Sequence, residues 1–208
     1  IALMGTLSLE GGPVSWVSYH RIHHANSDQE GDPHSPKHGF WWSHVFWTFF
    51  HYPDFEETEK LRRFARDVYD DPDILFMEKY FLPINIAAGL SFFALGYLMG
   101  GLYTGISYLF WGGFLRLVFT WHVTWCINSV THMFGYCNYE SSDDSRNLWW
   151  LGILAFGEGW HNNHHADQRA ARNGHRWFEV DVTYYLMIIF SWIGLVTDIV
   201  PVSDRLIK

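Results

Sequence analysis

The sequence predicts an all-α integral membrane protein that forms a single domain over residues 1–208. Three observations indicate this fold class. Hydrophobic residues make up 49% of the chain and charged residues only 17%, whereas soluble domains carry about 25% charged residues. The 60 residues from Tyr80 to Tyr139 contain a single Lys, Arg, Asp or Glu, namely Arg116. Finally, the chain has 13 histidines, most of them outside that apolar stretch.

Composition excludes several classes of protein. The net charge is −8 with histidine neutral, so the basic surface of a nucleic-acid-binding protein is missing. The two cysteines, Cys126 and Cys137, cannot build a disulfide framework or a four-thiolate zinc site. With 208 residues the chain is long enough to bury a core, which argues against disorder.

The first part of the chain contains two breaks and one charged segment. Residues 1–7 begin inside an apolar run without a start methionine or a charged leader, so we expect them to be the tail of an earlier spanning helix in a longer protein. The segments 10–13 (EGGP) and 70–73 (DDPD) are predicted to interrupt helices. Between them, residues 54–79 hold 14 charges and are predicted to form a solvated helical segment.

The apolar stretch is long enough to cross a bilayer twice, since one spanning helix needs about 20 apolar residues. Spans are expected near 81–99 and 106–127, with the glycine-rich segment 100–105 as the reversal. Two buried core helices of a soluble protein are the alternative, but a domain this small has little else to cover them. Residues 182–197 carry no formal charge and number only 16, which predicts an interfacial or buried helix rather than a third crossing.

Basic residues predict the orientation of these spans. Of the 14 Lys and Arg residues, 13 lie before Tyr80 or after Tyr139, and none lies in the reversal. The positive-inside rule therefore places both flanking regions in the cytoplasm, where they would form a helical cap on the same membrane face.

Two histidine clusters share the pattern H-x-x-H-H. One is His20, His23 and His24; the other is His161, His164 and His165. Positions i, i+3 and i+4 lie on one face of a helix, so each cluster presents three imidazoles to a common point. Neither contains the glutamate of the zinc-peptidase pattern H-E-x-x-H. One such cluster can arise by chance on a surface, but two copies on the same membrane face predict metal binding.

A third element, Asn128 and His132, lies at the cytoplasmic end of the second predicted span. Polar groups at such a depth are costly and are often functional, although a helix-to-helix hydrogen bond is the alternative. Seven imidazoles exceed the four ligands of one zinc ion, which indicates two metals. Imidazole suits iron, copper, zinc or nickel; redox-active iron for O₂ chemistry fits best, but these residues alone do not separate it from zinc.

Other polar and aromatic residues near the clusters have two interpretations. The histidines without cluster spacing are interpreted as structural: His34, His38, His44, His51, His122 and His175. Carboxylates that flank the clusters either accept the second ring N–H of a ligand or are simply solvated: Asp28, Asp32, Glu158 and Asp167. Trp16, Trp121 and Trp125 either line a dry channel or pack at the membrane interface.

Taken together, these motifs resemble the integral-membrane fatty acid desaturases, and most of all the branch of Δ9 acyl-lipid and stearoyl-CoA desaturases. The likeness runs from about Thr6 to Leu195. The segments that carry it are HRIHH (20–24), DPH (32–34), GFWWSH (39–44), NSVTH (128–132) and GEGWHNNHH (157–165).

The resemblance implies a di-iron enzyme that uses O₂ and two electrons to remove two hydrogens from adjacent carbons of a saturated acyl chain. The product would carry a cis double bond, and the branch of the family implies the Δ9 position. One iron would be bound by His20, His23, His161 and His164, and the other by His24, His132 and His165, with Asn128 holding a water ligand. Trp16, Thr124 and Trp125 match positions that line the kinked substrate tunnel of the family. The kink would select the C–C bond that reacts by positioning it.

Three departures from the family pattern refine these expectations. An earlier histidine pair has no match here, so each iron would lack one ligand and this stretch alone is expected to be inactive or poorly metallated. Ser18-Tyr19 replaces an Arg-Asp pair, and residues 48–53 replace a basic stretch. Both changes remove contacts to a CoA phosphate and favour a lipid-linked acyl chain over acyl-CoA. Because the H-P-G-G signature is missing, a separate electron donor is expected, such as ferredoxin or cytochrome b5.

Three alternatives remain open on the sequence alone. The same metal scaffold could hydroxylate acyl or alkyl chains. A non-catalytic membrane protein could use the histidines to bind metal for structure. A soluble metal-dependent hydrolase is the most distant of the three.

Overall fold

The computed structural model describes residues 2–50 and 62–206. Within these ranges the chain forms helices joined by turns and irregular segments, and it forms no strand; Tyr136, Asn147 and Trp160 make isolated β-bridges only. The all-α prediction is therefore confirmed for the described part. Residues 51–53, which include His51 and are half of the segment that was compared with acyl-CoA enzymes, lie outside the described residues. So do residues 54–61, the start of the charged segment.

Ten α-helices occur in the described ranges, with 3₁₀ turns between several of them. They are α1 (Ala2–Thr6), α2 (Pro13–Asn26), α3 (Phe40–His44), α4 (Arg66–Tyr69), α5 (Pro72–Lys79), α6 (Phe81–Tyr108), α7 (Arg116–Ser129), α8 (Trp149–Leu154), α9 (His161–Ala166) and α10 (Val182–Trp192). A π-helical segment, Leu109–Leu115, joins α6 to α7. A 3₁₀ turn, Val130–His132, follows α7.

The chain divides into two compact units, which we describe separately. The first unit comprises residues 1–25 and 50–122, and the second comprises residues 26–49 and 123–208. Whether the whole chain acts as a single domain stays a prediction.

In the first unit, both predicted breaks separate helices. Gly11 has a φ of +108° and lies two residues before the start of α2. The carboxylate of Glu78 accepts hydrogen bonds from the Val14 N–H (2.8 Å) and the Ser15 hydroxyl (2.5 Å), which satisfies donors that a helix start leaves unpaired. Asp71 caps α5 by accepting from the backbone N–H groups of residues 73 and 74. The prediction of short solvated helices up to residue 79 is thus confirmed from Arg66 onward.

The apolar stretch folds into a helical hairpin. Gly100 and Gly101 leave the helical conformation, and Gly101 has a φ of +78°, which glycine adopts without steric cost. The two arms on either side of this reversal pack closely. A Cβ on Gly96 would lie 2.6 Å from the carbonyl oxygen of Thr104, and a Cβ on Gly105 would lie 3.0 Å from the carbonyl oxygen of Phe93. The predicted reversal is confirmed, but the second arm begins earlier than residue 106.

By length and composition alone, residues 81–132 qualify as one candidate membrane-spanning region, in which a window of 18 residues reaches a mean hydropathy of 1.7. The reversal at Gly100 and Gly101 divides this region into two arms. An arm of about 19 residues is about 28 Å long, close to the thickness of the hydrocarbon core.

Arg116, the charged residue of the apolar stretch, lies at the junction with the N-terminal segment. Its guanidinium donates to the carbonyl oxygens of Gly112 (2.9 Å) and Leu7 (2.9 Å). Asn85 and Trp121 donate in the same way to the carbonyls of Thr6 and Ser8, each at 2.9 Å. These side chains therefore satisfy the carbonyl groups at the end of α1, which explains why polar groups occur in otherwise apolar arms.

In the second unit a short apolar cluster supports a mainly polar interior. Leu151 and Ala155 pack against Ile127, and so fix α8 on the last turns of α7. No residue of α10 is buried. The alternative of a buried helix over residues 182–197 is therefore wrong.

Candidate metal centre

The second histidine cluster lies on α9, as its spacing predicts. The residue before this helix, Trp160, is buried and donates its ring N–H to the Val180 carbonyl oxygen at 2.9 Å. Its ring lies against Gly152, where a Cβ would come within 2.6 Å of the indole. Glycine at this position therefore allows the tryptophan to anchor the start of α9 against α8.

Three histidines of the second unit converge through their Nε2 atoms. His161 Nε2 lies 3.1 Å from His132 Nε2 and 3.0 Å from His165 Nε2. All three residues are buried. The 3₁₀ turn after α7 brings His132 to the two histidines that α9 places one turn apart.

Buried carboxylates bind the other ring nitrogen of two of these histidines. His132 Nδ1 lies 2.9 Å from Asp28 Oδ2, and His165 Nδ1 lies 2.6 Å from Asp143 Oδ2. A carboxylate can only accept, so Nδ1 carries the proton in both rings and the lone pair is on Nε2. This is the arrangement in which a second partner orients a metal-binding imidazole.

The chemistry of the three nitrogens fits a bound cation. Two Nε2 lone pairs that face each other at 3.0–3.1 Å repel each other unless a proton or a metal ion lies between them. Nitrogens bound to one ion at about 2.1 Å and at right angles lie about 3 Å apart. The donor set therefore suits a metal of the kind that imidazole prefers.

Both carboxylates remain charged at neutral pH. Burial favours the protonated form of Asp28, but hydrogen bonds from the His132 ring and from the Asp144 N–H (2.9 Å) hold its pKa below the ordinary value. Burial acts in the same direction on Asp143, yet the His165 ring and the Ser145 N–H (3.0 Å) bring its pKa well below the ordinary value. Each carboxylate thus stabilises the Nδ1–H form of its histidine.

A network of buried amides fixes α9 beneath the histidines. The Asn163 side chain donates to Glu179 Oε2 (2.8 Å) and to the Asn173 carbonyl (2.8 Å), and it accepts from Asn147 Nδ2 (2.9 Å). The Asn138 amide donates to both Asn163 Oδ1 (2.9 Å) and Glu179 Oε1 (2.6 Å). Four hydrogen-bond partners therefore fix the side chain of Asn163, the residue directly before His164.

Glu179 is the centre of this network. Its side chain is fully buried, and it also accepts from the Tyr136 hydroxyl (2.7 Å) and from the backbone N–H groups of His175 and Arg176 (2.8 Å each). Nothing in its sequence position indicates this role, because it lies 14 residues beyond the histidine cluster in an irregular segment. Asp143 also lies in an irregular segment, so its contact with a histidine could not be predicted from the sequence.

Asn162 ties the same helix to the segment before α8. Its side-chain oxygen accepts from the backbone N–H groups of Asn138 (2.8 Å) and Tyr139 (2.9 Å), while its NH₂ group donates to the Tyr139 carbonyl (3.0 Å). Asn162 and Asn163, the two asparagines within H-N-N-H-H, therefore have a structural role, which the histidine spacing did not predict.

The first histidine cluster lies on α2 in the first unit, again as predicted. His20 Nε2 and His24 Nε2 are 3.1 Å apart, and His23 is buried. The indole of Trp16 stacks on the His20 ring with a centroid distance of 4.9 Å. This contact places Trp16 against a predicted ligand, whereas its role in a substrate tunnel stays a prediction.

Two further predicted ligands also lie in the second unit. His164 is half-buried, with its ring centroid 5.8 Å from that of His165. Asn128 is half-buried on α7, and its side chain makes no hydrogen bond to any residue in the described ranges. His161 lies with His132 and His165, although the resemblance groups it with His164, so the allocation of ligands to each iron stays a proposal.

The flanking carboxylates differ in what they bind. Asp28 accepts from a histidine ring, as one interpretation expected. Asp32 accepts from the backbone N–H groups of Asp28 (2.9 Å) and His34 (3.1 Å). In the described part of the chain, Asp167 accepts from the Ser203 N–H (2.7 Å) and Glu158 has no ring partner, so a ligand-orienting role is wrong for these two.

Histidines outside the clusters have structural contacts. His44 Nδ1 lies 3.0 Å from the Ser129 hydroxyl, and its ring meets that of Trp125 at 5.8 Å. His175 Nδ1 lies 3.1 Å from the Tyr139 hydroxyl. Trp125 therefore packs on a structural histidine, and Thr124 beside it is half-buried. Their place in a substrate tunnel stays a prediction.

A polar cleft of about 560 Å³ opens beside His165. Arg169 and Arg205 are exposed at this cleft, whereas Asp167 is buried in its wall. Its charged lining is unsuited to an acyl chain, but it brings solvent close to His165, a predicted metal ligand.

Known proteins resemble this chain over nearly its whole length. The family model described as fatty acid desaturase matches residues 2–194. The sn-1 stearoyl-lipid 9-desaturase of Anabaena variabilis is 46% identical over 205 residues, which cover 99% of this chain and 71% of the relative. The enzyme of the same name from Synechocystis sp. is 46% identical over 197 residues, or 95% and 58% of the two chains. The sn-2 palmitoyl-lipid 9-desaturase of Nostoc sp. is 41% identical over 201 residues, or 96% and 68%.

The chain thus spans between 58% and 71% of the length of these three relatives. The family match covers both histidine clusters, the hairpin and the segment with Asp143 and Glu179. With a match of this extent, the chain belongs to the fatty acid desaturase family, a family of oxidoreductases.

Proposed function

We propose that this chain forms the catalytic part of an acyl-lipid desaturase that introduces a cis Δ9 double bond into a saturated acyl chain. The observation that carries the proposal is the convergence of three Nε2 atoms, with the rings of His132 and His165 oriented by buried carboxylates. Relatives named as stearoyl-lipid and palmitoyl-lipid 9-desaturases support the Δ9 position and the lipid-linked substrate. Ser18-Tyr19, in place of an Arg-Asp pair, agrees with a lipid-linked rather than a CoA-linked chain.

Two irons would be held by the seven clustered histidines, with Asn128 acting through a water. These histidines are His20, His23, His24, His132, His161, His164 and His165. When bound, the irons would supply the activation of O₂. Two electrons and two protons, together with the two hydrogens removed from neighbouring carbons, would reduce O₂ to two molecules of water.

The protein's own groups orient the reaction. Asp28 and Asp143 keep the protons of His132 and His165 on Nδ1, so that both Nε2 atoms remain available as donors. The Asn163–Glu179 network fixes α9 and resists rotation of its histidines. Trp16, Thr124 and Trp125 would line the acyl tunnel and hold one C–C bond beside the metals, a positioning effect.

The hairpin would anchor the protein in the membrane with both histidine clusters on the cytoplasmic face, where a helical cap would enclose them. Electrons would come from a separate donor, such as ferredoxin or cytochrome b5. The cleft beside His165 is a suitable point of entry, because Arg169 and Arg205 at its mouth favour the acidic surface of such a donor.

Fatty-acid methyl ester analysis tests this function. The complete protein that carries this sequence would be expressed in a host without Δ9 desaturation, together with the variants His161→Ala and His38→Ala. His38 is an exposed histidine outside the clusters and serves as the matched control. We expect a new Δ9-monounsaturated ester with the wild type and with His38→Ala, and none with His161→Ala. A hydroxylated ester, or a product that persists in His161→Ala, would contradict the proposal.

A further inference from the structure

The second unit exposes a large apolar surface outside the hairpin. On α8, Trp149 is 63% exposed and Ile153 is 56% exposed, and Phe156 just beyond it is 61% exposed. Soluble proteins rarely leave side chains of this size together in water. A surface of this kind indicates contact with a lipid or protein partner.

Helix α10 also exposes large apolar side chains. Tyr185, Leu186 and Ile189 are each nearly half exposed, and Trp192 is 77% exposed. Residues 182–197 include no charged side chain. With 11 residues, the helix is about 16 Å long, which is far too short to cross a bilayer.

Hydrogen bonds join the two helices into one structural element. The backbone N–H of Thr183 at the start of α10 donates to the Phe156 carbonyl oxygen at 2.9 Å. The Trp160 ring N–H donates to the Val180 carbonyl oxygen at 2.9 Å. These bonds link the end of α8 to the start of α10. We call the exposed apolar side chains of this pair of helices and of the residue Phe156 the apolar surface: Trp149, Ile153, Phe156, Leu186, Ile189 and Trp192.

The apolar surface is also attached to the end of the candidate spanning region. The inner face of α8, Leu151 and Ala155, packs on Ile127, with Val123 and Cys126 against the same cluster. These three residues belong to α7, the last part of the hairpin's second arm. Because the candidate spanning region extends to residue 132, α8 packs on the last part of that region itself.

We propose that α8 and α10 lie in the membrane interface with the apolar surface immersed in lipid. Tryptophan and tyrosine are enriched at this depth because one end of each ring is apolar and the other is wet. The occupant is therefore a bilayer surface rather than a second protein. The inference requires the hairpin to be in the membrane, but it does not require desaturation.

This placement has a consequence for the histidines. Helix α9 begins directly after Trp160, the residue bound to the chain segment that leads into α10. Docking of the apolar surface thus sets the height of His161 and His165 above the lipid. A lipid-linked acyl chain could then reach them without leaving the membrane completely.

Spin labelling of the complete protein in phospholipid nanodiscs tests the proposal. The background carries Cys126→Ser and Cys137→Ser, and single labels are introduced as Ile153→Cys and Ile189→Cys. Leu98→Cys on the exposed hairpin reports lipid, and Ser142→Cys, an exposed polar position, reports water. Collisions with O₂, which concentrates in lipid, are compared with collisions with a water-soluble nickel chelate.

At Ile153 and Ile189 we expect the ratio of O₂ to nickel collisions to exceed that at Ser142 by about fivefold or more, as for side chains a few ångströms inside the interface. A ratio equal to that at Ser142 means water contact and overturns the proposal. Low collision rates with both reagents mean that protein covers the surface, which also overturns it. If Leu98 itself reports water, the hairpin premise fails, and the proposal fails with it.

Discussion

The hairpin and the interior of the second unit are built from opposite kinds of side chain. In the hairpin the large apolar residues face outward, with Leu98 83% and Tyr103 86% exposed. In the second unit the fully buried side chains include Asn147, Asn163 and Glu179. The difference shows which solvent each part is built for. A surface that faces lipid gains nothing from polar groups, whereas a polar interior must satisfy its hydrogen bonds internally and thereby becomes rigid.

The largest effect is expected from removal of the centre of the polar interior. Glu179→Ala leaves five donors without their acceptor, which should lower the free energy of unfolding by about 3 kcal/mol or more and abolish iron binding. Glu140→Ala is the matched control, because this glutamate is exposed. Thermal unfolding and iron content of the purified complete protein measure the effect. Equal stability of the two variants would show that the network does not hold α9.

A smaller effect is expected from the carboxylate behind one histidine. Asp143→Asn keeps the shape but weakens the partner of His165 Nδ1, so iron affinity or activity should fall about 10–100-fold while the protein stays folded. Asp144→Asn changes the neighbouring residue, whose side chain is exposed, and should have little effect. Titration of the apoprotein with ferrous iron compares the two variants. Equal affinities would refute the orienting role of Asp143.

The apolar region can be perturbed at the contact between its arms. Alanine is a better helix former than glycine by about 1 kcal/mol, yet Gly96→Ala should destabilise the hairpin because its Cβ meets the Thr104 carbonyl. Gly89→Ala is the control, since its Cβ would meet Leu109 at an ordinary 3.6 Å. We expect a loss of about 1–3 kcal/mol at Gly96 only, seen as a lower unfolding temperature in detergent. Stabilisation by both substitutions would contradict the close packing.

The smallest effect is expected at an exposed ion pair of the first unit. The hydrogen bond from Arg21 (2.5 Å) holds the pKa of Asp67 below its ordinary value. A lowered pKa stabilises the fold above the pKa of the unfolded chain, and this contribution disappears as the pH falls. Because both side chains are largely exposed, Asp67→Asn should cost less than about 1 kcal/mol, and less still in high salt. A loss above this size at neutral pH, measured by thermal unfolding, would contradict the assignment.

The sequence predicted the elements that depend on local pattern. The spacing of His20 to His24 and of His161 to His165 placed both clusters on helices, and Gly100 and Gly101 identified the reversal, because helical periodicity and glycine conformations are local properties. Asp28 was among the possible partners of a ligand because it lies four residues beyond His24.

Partners that the fold brings from a distance could not be predicted. Asp143 meets His165 across 22 residues, and Glu179 meets Tyr136 across 43. Neither lies at a periodic position, so only the tertiary structure distinguishes them from the solvated carboxylates Asp144 and Glu140. The grouping of His161 with His132 depends on the 3₁₀ turn after α7, which also has no local sequence signal.

The most direct test of the metal centre is the iron content of the purified complete protein by elemental analysis, for the wild type, His132→Ala and His38→Ala. His132 is buried with its Nε2 beside that of His161, so its loss removes one of the three converging donors. We predict that His132→Ala loses at least half of the iron bound by the wild type, while His38→Ala keeps all of it. Full iron occupancy in His132→Ala would contradict the assignment of these converging histidines as the metal centre.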